Sequence, residues 1–241
     1  MINKRIYGDR SIVPMVMFHT VGTENMDWEY KHIAEPVVEF ESKISSLKKA
    51  GFNFIFWSDL YEYMAGLRQL DLPAVVLTFD DGYLDNWVYV YPILKQYGAK
   101  GTIFMSTDFV DPCKECRPNM DDVQGGHLPK DKLRIDGFLN WEEMRQMERS
   151  GVIDIQSHTK SHTWYYSSPE IVDFWSPDQK DNIWMSWNER PERKPYYLSE
   201  SQCGFVPLGT PIYKHEKSLM VTRFFPAEEI AQEMYSYIES R

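Results

Sequence analysis

The chain has 241 residues, of which 36 are acidic and 26 are basic, and its formal net charge is −10. This length suits one large α/β domain, and a hydrophobic content of 43% is enough for a core. A duplex-binding protein needs a basic surface that displaces counterions, and the sequence has no basic stripe, so we expect no nucleic-acid partner.

The N-terminal residues 1–10 carry charges where a secretory signal peptide has its apolar stretch. No segment approaches the roughly 20 apolar residues that span a bilayer, so we expect no transmembrane segment. The sequence as it stands therefore predicts a cytoplasmic protein, and an extracellular one if a leader has been removed.

Five short apolar stretches predict buried strands, at residues 13–18, 53–57, 74–79, 102–105 and 152–156. Helical periodicity predicts helices between them, at residues 39–50, 58–64, 86–97 and 141–150. Ser58 is the predicted cap of the second helix, and Asn140 with Glu143 forms a capping box at the fourth.

Two stretches lack periodicity. Residues 106–138 are rich in Asp, Pro and Gly and predict a long loop, and residues 164–211 predict an irregular excursion. A last helix is predicted over Ala227–Ile238, with Pro226 at its first position. The alternation of strands and helices predicts a parallel α/β sheet, either open or closed into a barrel. We expect a single domain, 1–241, with an irregular insertion at about 164–211.

The cysteine pattern is a weak signal. Cys113 and Cys116 form a C-x-x-C pair, and Cys203 is the only other cysteine. Zinc would need two further soft ligands, and the flanking prolines place the pair in a loop rather than at a helix start. We therefore favour an incidental pair or a disulfide that staples the loop over a functional site.

Polar residues follow three predicted strands at the edge where parallel α/β proteins place their sites. His19 follows the first strand, Asp80 and Asp81 the third, and His158 and His162 the fifth. Unpaired buried carboxylates cost several kcal/mol, as an order of magnitude, and a cation or a shared proton removes that cost.

The spacing of His158 and His162 is i, i+4, which on one helical turn brings both imidazoles to one side. One carboxylate with two histidines leaves open positions for water and substrate, as in hydrolytic metal centres. Taken singly, each pattern has another explanation, because Asp-Asp-Gly is often a turn and H-x-x-x-H is often a pair of surface histidines that bind no metal. Together, at strand ends of one sheet, they favour a metal site.

These motifs resemble the polysaccharide deacetylase family, the NodB-homology domain of carbohydrate esterase family 4. Residues 78–83, T-F-D-D-G-Y, resemble its aspartate motif, and residues 157–162, S-H-T-K-S-H, match its histidine motif. The surrounding residues 91–104 and 139–151 are also similar, so the resemblance extends over roughly residues 12–163.

The resemblance implies an irregular (β/α)7 barrel. It implies Asp80 as the general base, and Asp81, His158 and His162 as ligands of zinc or, alternatively, cobalt, nickel or manganese. The implied substrate is an N-acetylated carbohydrate. Residues 13–19 resemble a subset that acts on poly-N-acetylglucosamine-type polymers, which implies His19 as a catalytic acid, against the alternative of a structural histidine.

The chain departs from the family after the histidine motif. The family's Arg-containing segment is missing, and the nearest stretch is residues 190–196, R-P-E-R-K-P-Y. We therefore predict a partial domain, incomplete at the C-terminal end of the barrel. Three alternatives to a polysaccharide deacetylase remain: an esterase or amidase of the same fold, a non-catalytic carbohydrate-binding protein that keeps the metal, and a fragment of a larger enzyme.

Overall fold

The computed structural model describes residues 12–28, 31–178 and 180–240. The chain forms two compact units, Met1–His158 and Thr159–Arg241, and the boundary falls inside the histidine motif. The N-terminal residues 1–10, on which the absence of a signal peptide was judged, lie outside the described residues.

The first unit is built on a parallel sheet. Its strands are β1 (Met15–Phe18), β2 (Thr20–Val21), β3 (Ala34–Glu35), β4 (Asn53–Ile55), β5 (Ala74–Asp81), β6 (Gly101–Ser106) and β7 (Ile153–Thr159), the last reaching the first residue of the second unit. Strands β1, β5, β6 and β7 lie side by side in that order, β4 also pairs with β5, and β2 pairs with β3. All five predicted strands are present, but β1 is not buried as predicted, because Met15 and Met17 are exposed. The sheet is open within the described residues, and the (β/α)7 barrel stays a prediction.

Helices connect the strands, as predicted. They are α1 (Val37–Lys49), α2 (Trp57–Met64), α3 (Tyr91–Tyr97), α4 (Met120–Gln124) and α5 (Trp141–Arg149). A π-helical turn, Asn86–Val90, leads into α3, whose first turn contains Pro92. Short 3-10 turns occur at Lys31–Ile33, Thr107–Phe109 and Lys130–Lys132. The predicted loop at 106–138 therefore contains α4 and two of these turns.

The helix caps were predicted with mixed success. The capping box at α5 is confirmed, because the Glu143 N–H donates to the Asn140 side chain at 2.9 Å and the Asn140 N–H donates to the Glu143 carboxylate at 3.0 Å. The Ser58 cap was wrong. Helix α2 begins one residue earlier, and the Phe56 N–H donates to the Asp59 carboxylate at 3.0 Å instead. The Asp59 carboxylate, in the first turn, therefore accepts a backbone hydrogen bond at the start of the helix, where we had expected the Ser58 hydroxyl to accept one.

Three phenyl rings join α1 to the sheet. Phe18 on β1 stacks on Phe79 of β5 at a centroid distance of 5.4 Å, and Phe40 of α1 meets both rings edge-on at 5.2 and 5.9 Å. All three side chains are buried. Burial of one such ring contributes about 1.5–3 kcal/mol, so this cluster fixes β1 against β5 close to the strand ends that carry the candidate site.

Asp85 ties the segment after β1 to the segment after β5. Its buried carboxylate accepts hydrogen bonds from the Thr20 hydroxyl at 2.6 Å, the Val21 N–H at 2.7 Å and the Asn86 amide at 3.0 Å. Burial raises the pKa of this carboxyl from 3.8 to about 7, although the hydrogen bonds lower it. The two segments are therefore joined by a group that is partly protonated near neutral pH.

Asp85→Asn is expected to remove a pH-dependent loss of stability. Because the folded-state pKa is raised to about 7, the folded chain keeps a proton that the unfolded chain releases, and this group's stabilisation is lost as the pH rises through that value. The difference in the free energy of unfolding, Asp85→Asn minus wild type, should rise by on the order of 2–3 kcal/mol from pH 5 to pH 8. Denaturant titrations at both pH values measure this. Asp71→Asn, at an exposed position, is the control, and parallel pH profiles for wild type and Asp85→Asn would contradict the prediction.

The second unit contains an antiparallel pair that the sequence analysis missed. Strands β8 (Trp164–Phe174) and β9 (Pro211–Lys217) pair with irregular register between Tyr166 and Asp173. The remaining elements are the helices α6 (Trp184–Glu189) and α7 (Glu228–Glu239) and the 3-10 segments Lys180–Asn182, Pro191–Tyr196 and Cys203–Phe205. The prediction of an irregular excursion was therefore wrong for residues 164–174, because the strand contains Pro169 and an exposed outer half that hide its alternation.

Aromatic side chains form much of the core of the second unit. Tyr166 meets Trp184 and Tyr213 edge-on at 5.5 and 5.2 Å. Gly209 lies against Ile238 of α7, and a Cβ at this glycine would come within 1.8 Å of the Ile238 Cδ1 atom. Helix α7 starts after Ala227, so Pro226 precedes the cap and is not at the first helical position, as we had predicted.

Candidate metal site

The aspartate motif lies at the carboxyl end of β5. Asp80 pairs in register with Phe104 of β6 and Asp81 with Met105, so both carboxylates leave the sheet at the same edge. Asp81 is largely buried, with 12% of its side chain exposed. Asp81 faces His158 of the histidine motif, with 3.5 Å between its Oδ1 atom and the His158 Nε2 atom.

A strained turn holds Asp81. Its φ is 71°, in the left-handed region that non-glycine residues rarely adopt, and Gly82 follows with φ 79°. A Cβ at Gly82 would lie 2.0 Å from the Met105 sulfur, so only glycine fits. The Leu139 N–H donates to the Gly82 carbonyl at 2.9 Å and fixes the turn from outside. Strain of this kind costs about 1–3 kcal/mol and is typical of functional sites.

His158 lies near the carboxyl end of β7, which is separated from β5 by β6 in the sheet. Its Nε2 atom is 3.5 Å from the Asp81 Oδ1 atom. The prediction that His158 and His162 share a helical turn was wrong, because β7 continues to Thr159 and the chain then bends. A strand end followed by a tight turn replaces the helical spacing.

His162 is held in that turn by a local hydrogen bond. Its N–H donates to the Thr159 hydroxyl at 2.8 Å, and its φ is 39°. Among the residues that the structure describes, Asp81 and His162 are the two non-glycine residues with positive φ. Backbone strain therefore falls on two of the three residues that the sequence analysis selected as metal ligands.

The structure brings together the three side chains that the sequence analysis named as ligands. One ligand atom from each of Asp81, His158 and His162 lies within 4.8 Å of the others. Two atoms bound at 2.0–2.1 Å to one tetrahedral ion are about 3.3 Å apart, close to the 3.5 Å between Asp81 Oδ1 and His158 Nε2. One carboxylate and two imidazoles are also a suitable donor set for zinc and similar divalent ions, so these residues fit such an ion.

His19 is placed by the register of β1. Phe18, the last residue of β1, pairs with Phe79 of β5, and His19 and Asp80 are the residues that directly follow this pair. The His19 carbonyl accepts a hydrogen bond from the Asn86 side chain at 3.1 Å. In the described part of the chain, His19 is not a member of the group formed by Asp81, His158 and His162.

One residue that the sequence analysis did not select contacts the histidine motif. Lys194 is buried, with 1% of its surface exposed, and its Nζ atom donates to the Ser161 carbonyl at 2.8 Å. It lies in the stretch 190–196, which we had compared with the missing Arg-containing segment. No local pattern distinguishes it from the other 25 basic residues, since its burial depends on how the second unit folds.

The cysteines take no part in the site. Cys113, Cys116 and Cys203 are free thiols, so the loop-stapling disulfide is not formed. Burial, followed by the nearby Glu143 and Glu142 carboxylates, raises the pKa of the Cys116 thiol. A raised pKa disfavours the reactive thiolate, and the incidental alternative therefore fits this pair.

A parallel α/β fold with an Asp-His-His group close to its strand ends is an arrangement that also occurs in hydrolytic metal centres. Comparison with known families identifies the class of protein, because the family model described as polysaccharide deacetylase matches residues 68–188. The chain belongs to the polysaccharide deacetylase family.

Individual relatives agree. YxkH of Bacillus subtilis (strain 168), a protein assigned by its name to the polysaccharide deacetylases, is 29% identical over 150 residues, which are 62% of this chain and 43% of that protein. The poly-beta-1,6-N-acetyl-D-glucosamine N-deacetylase of Escherichia coli (strain K12) is 26% identical over 144 residues, 60% of this chain and 20% of that enzyme. The solved structure of a de-N-acetylase from Aggregatibacter actinomycetemcomitans aligns with a TM-score of 0.50 and 26% identity, over 65% of this chain and 58% of that one.

These matches cover less than half the length of the two named relatives. They support the fold and the family, and the relatives' whole activities are therefore treated as proposals for this chain. Among the described residues, no helix has the length and apolar character needed to cross a membrane.

Proposed function

We propose that this chain is a metal-dependent deacetylase that hydrolyses N-acetyl groups of an amino-sugar polymer or oligosaccharide. The observation that carries the proposal is the group of Asp81, His158 and His162, whose ligand atoms lie within 4.8 Å of one another in a member of the polysaccharide deacetylase family. The name of the Escherichia coli relative supports an N-acetylated carbohydrate as the substrate class, and that of the Aggregatibacter structure supports removal of an N-acetyl group.

In this proposal Asp81, His158 and His162 hold a divalent ion, most simply zinc, with cobalt, nickel and manganese as alternatives. When bound, such an ion would polarise the acetyl carbonyl and lower the pKa of a water molecule toward about 7. Two of the three ligands sit on strained backbone, with φ of 71° and 39°, which favours a preorganised site over a flexible one.

The remaining roles fall to residues beside the ligands. Asp80 is adjacent to Asp81 at the carboxyl end of β5 and is proposed as the general base that takes a proton from the attacking water. His19, which directly follows the neighbouring strand β1, is proposed as the acid that protonates the leaving amine nitrogen. Breaking the amide bond in this way yields acetate and a free amino sugar.

The activity is tested by acetate release from N-acetylglucosamine oligomers by the full chain, loaded in turn with Zn²⁺, Co²⁺, Ni²⁺ and Mn²⁺. Acetate release that depends on the added ion is the expected result. Release of acetate only from O-acetylated sugars would replace the amidase proposal by an esterase of the same fold. Oligomer binding without acetate release from either substrate would indicate a non-catalytic carbohydrate-binding protein.

A further inference from the structure

Lys194 has no role in the reaction described above, yet its burial is unusual. It is the one lysine among the buried residues that the structure describes, with 1% of its surface exposed. Removing an ammonium group from water costs several kcal/mol, as an order of magnitude, unless hydrogen bonds compensate. We propose that Lys194 is a positioning residue that orients His162, an inference that rests on the proposed metal site.

Both polar atoms of the peptide group between Ser161 and His162 are hydrogen-bonded. The carbonyl oxygen of this peptide accepts a hydrogen bond from Lys194 Nζ at 2.8 Å. The N–H of the same peptide donates to the Thr159 hydroxyl at 2.8 Å. Because a peptide group is planar, fixing both polar atoms fixes the orientation of the whole plane from which the His162 Cα extends.

The His162 backbone needs such support. Its φ of 39° is unfavourable for a residue with a side chain, and a strained conformation persists only where its surroundings impose it. The bond from the Lys194 ammonium is charge-assisted and therefore stronger than one between neutral groups. Lys194 and Thr159 together hold the conformation that directs the His162 imidazole toward the other proposed ligands.

Lys194 is itself held on a fixed piece of backbone. It lies in the 3-10 segment Pro191–Tyr196, immediately before Pro195. The carbonyl of the preceding residue, Arg193, accepts a hydrogen bond at 2.6 Å from the side chain of Gln202, a residue that is itself 1% exposed. The backbone segment that carries the Lys194 ammonium group is therefore held in place by this hydrogen bond, as a positioning residue requires.

The test compares Lys194→Met with wild type and with Lys217→Met, which removes an exposed lysine from β9 in the same unit. Titration with Zn²⁺, and with Co²⁺ followed by its visible absorption spectrum, should show affinity reduced by about 10–100-fold in Lys194→Met and a changed Co²⁺ spectrum. Lys217→Met should match wild type. Lys194→Arg, which keeps a cationic donor, should recover part of the lost affinity. Thr159→Val should also weaken binding, and its effect should not add to that of Lys194→Met, since both act on one peptide.

Hydrogen exchange of the His162 amide in the metal-free chain gives a second, independent readout. It should be protected in wild type and lose protection in Lys194→Met. Unchanged metal affinity, Co²⁺ spectrum and amide protection in a folded Lys194→Met chain would overturn the proposal, even if its thermal stability were lower.

If Lys194→Met does not fold, the Lys194→Arg and Thr159→Val variants test the proposal instead. Wild-type metal affinity and amide protection in Thr159→Val would then overturn it. A wild-type chain that binds metal but releases no acetate refutes the proposed deacetylase activity and leaves this inference standing. If wild type binds no metal, amide protection alone decides.

Discussion

His158→Ala and His162→Ala are each expected to abolish tight binding of a divalent ion. Wild type should bind about one ion per chain, and removal of one of three protein ligands should weaken affinity by at least about 100-fold, more than the loss of an outer-shell partner does. The physical basis is that one ligand atom from each of Asp81, His158 and His162 lies within 4.8 Å of the others, so each imidazole would supply one of three protein ligands.

Elemental analysis after dialysis, together with Co²⁺ titration, measures this effect. His127→Ala is the matched control, since 76% of the His127 side chain is exposed and the residue lies outside the group of three. This control should retain the full metal content. Metal content equal to wild type in the double variant His158→Ala, His162→Ala would refute the assignment of these residues as ligands.

Asp80→Asn is expected to lose turnover while keeping the metal. The substitution preserves the shape of the side chain but removes the proton acceptor, and loss of a general base lowers the rate by about 10²–10⁴-fold. Acetate release from N-acetylglucosamine oligomers measures the rate, and elemental analysis of the same sample measures the metal.

The control is Asp131→Asn, which makes the same chemical change at an exposed position of the first unit. Normal turnover by Asp80→Asn would exclude Asp80 as the base. Loss of the metal from Asp80→Asn would indicate that Asp80 and Asp81 exchange roles, since the two residues are adjacent at the end of β5.

The parallel sheet could be predicted because its central strand, β5, is buried on both faces. Residues 74–79 are all apolar except Thr78, and each is buried in the structure, so the sequence has no competing pattern there. Strands β8 and β9 could not be found in the same way. Their long outer half is exposed, and bulges break the alternation that reveals a strand with one buried face.

The site was predictable in composition and not in geometry. The motifs at residues 78–83 and 157–162 identified the residues that the structure brings together. The i, i+4 spacing of the two histidines suggested a helical turn, and the continuation of β7 to Thr159 excludes it. Spacing along the chain does not determine backbone conformation, because the same interval is compatible with a helix or with a strand end and a turn.

Taken by itself, the sequence determined the order of the five main strands and of four helices in the first unit, but not β2, β3 and α4. It also determined the edge at which polar residues gather and the family. These features depend on local apolar runs, glycine turns and short motifs, which act over a few residues. Only the tertiary structure decided that Asp81 and His162 adopt strained conformations, that Asp85 is buried with a pKa of about 7 and that Lys194 is buried against the Ser161 carbonyl. Desolvation and strain depend on atoms brought in from distant parts of the chain, and no local pattern encodes them.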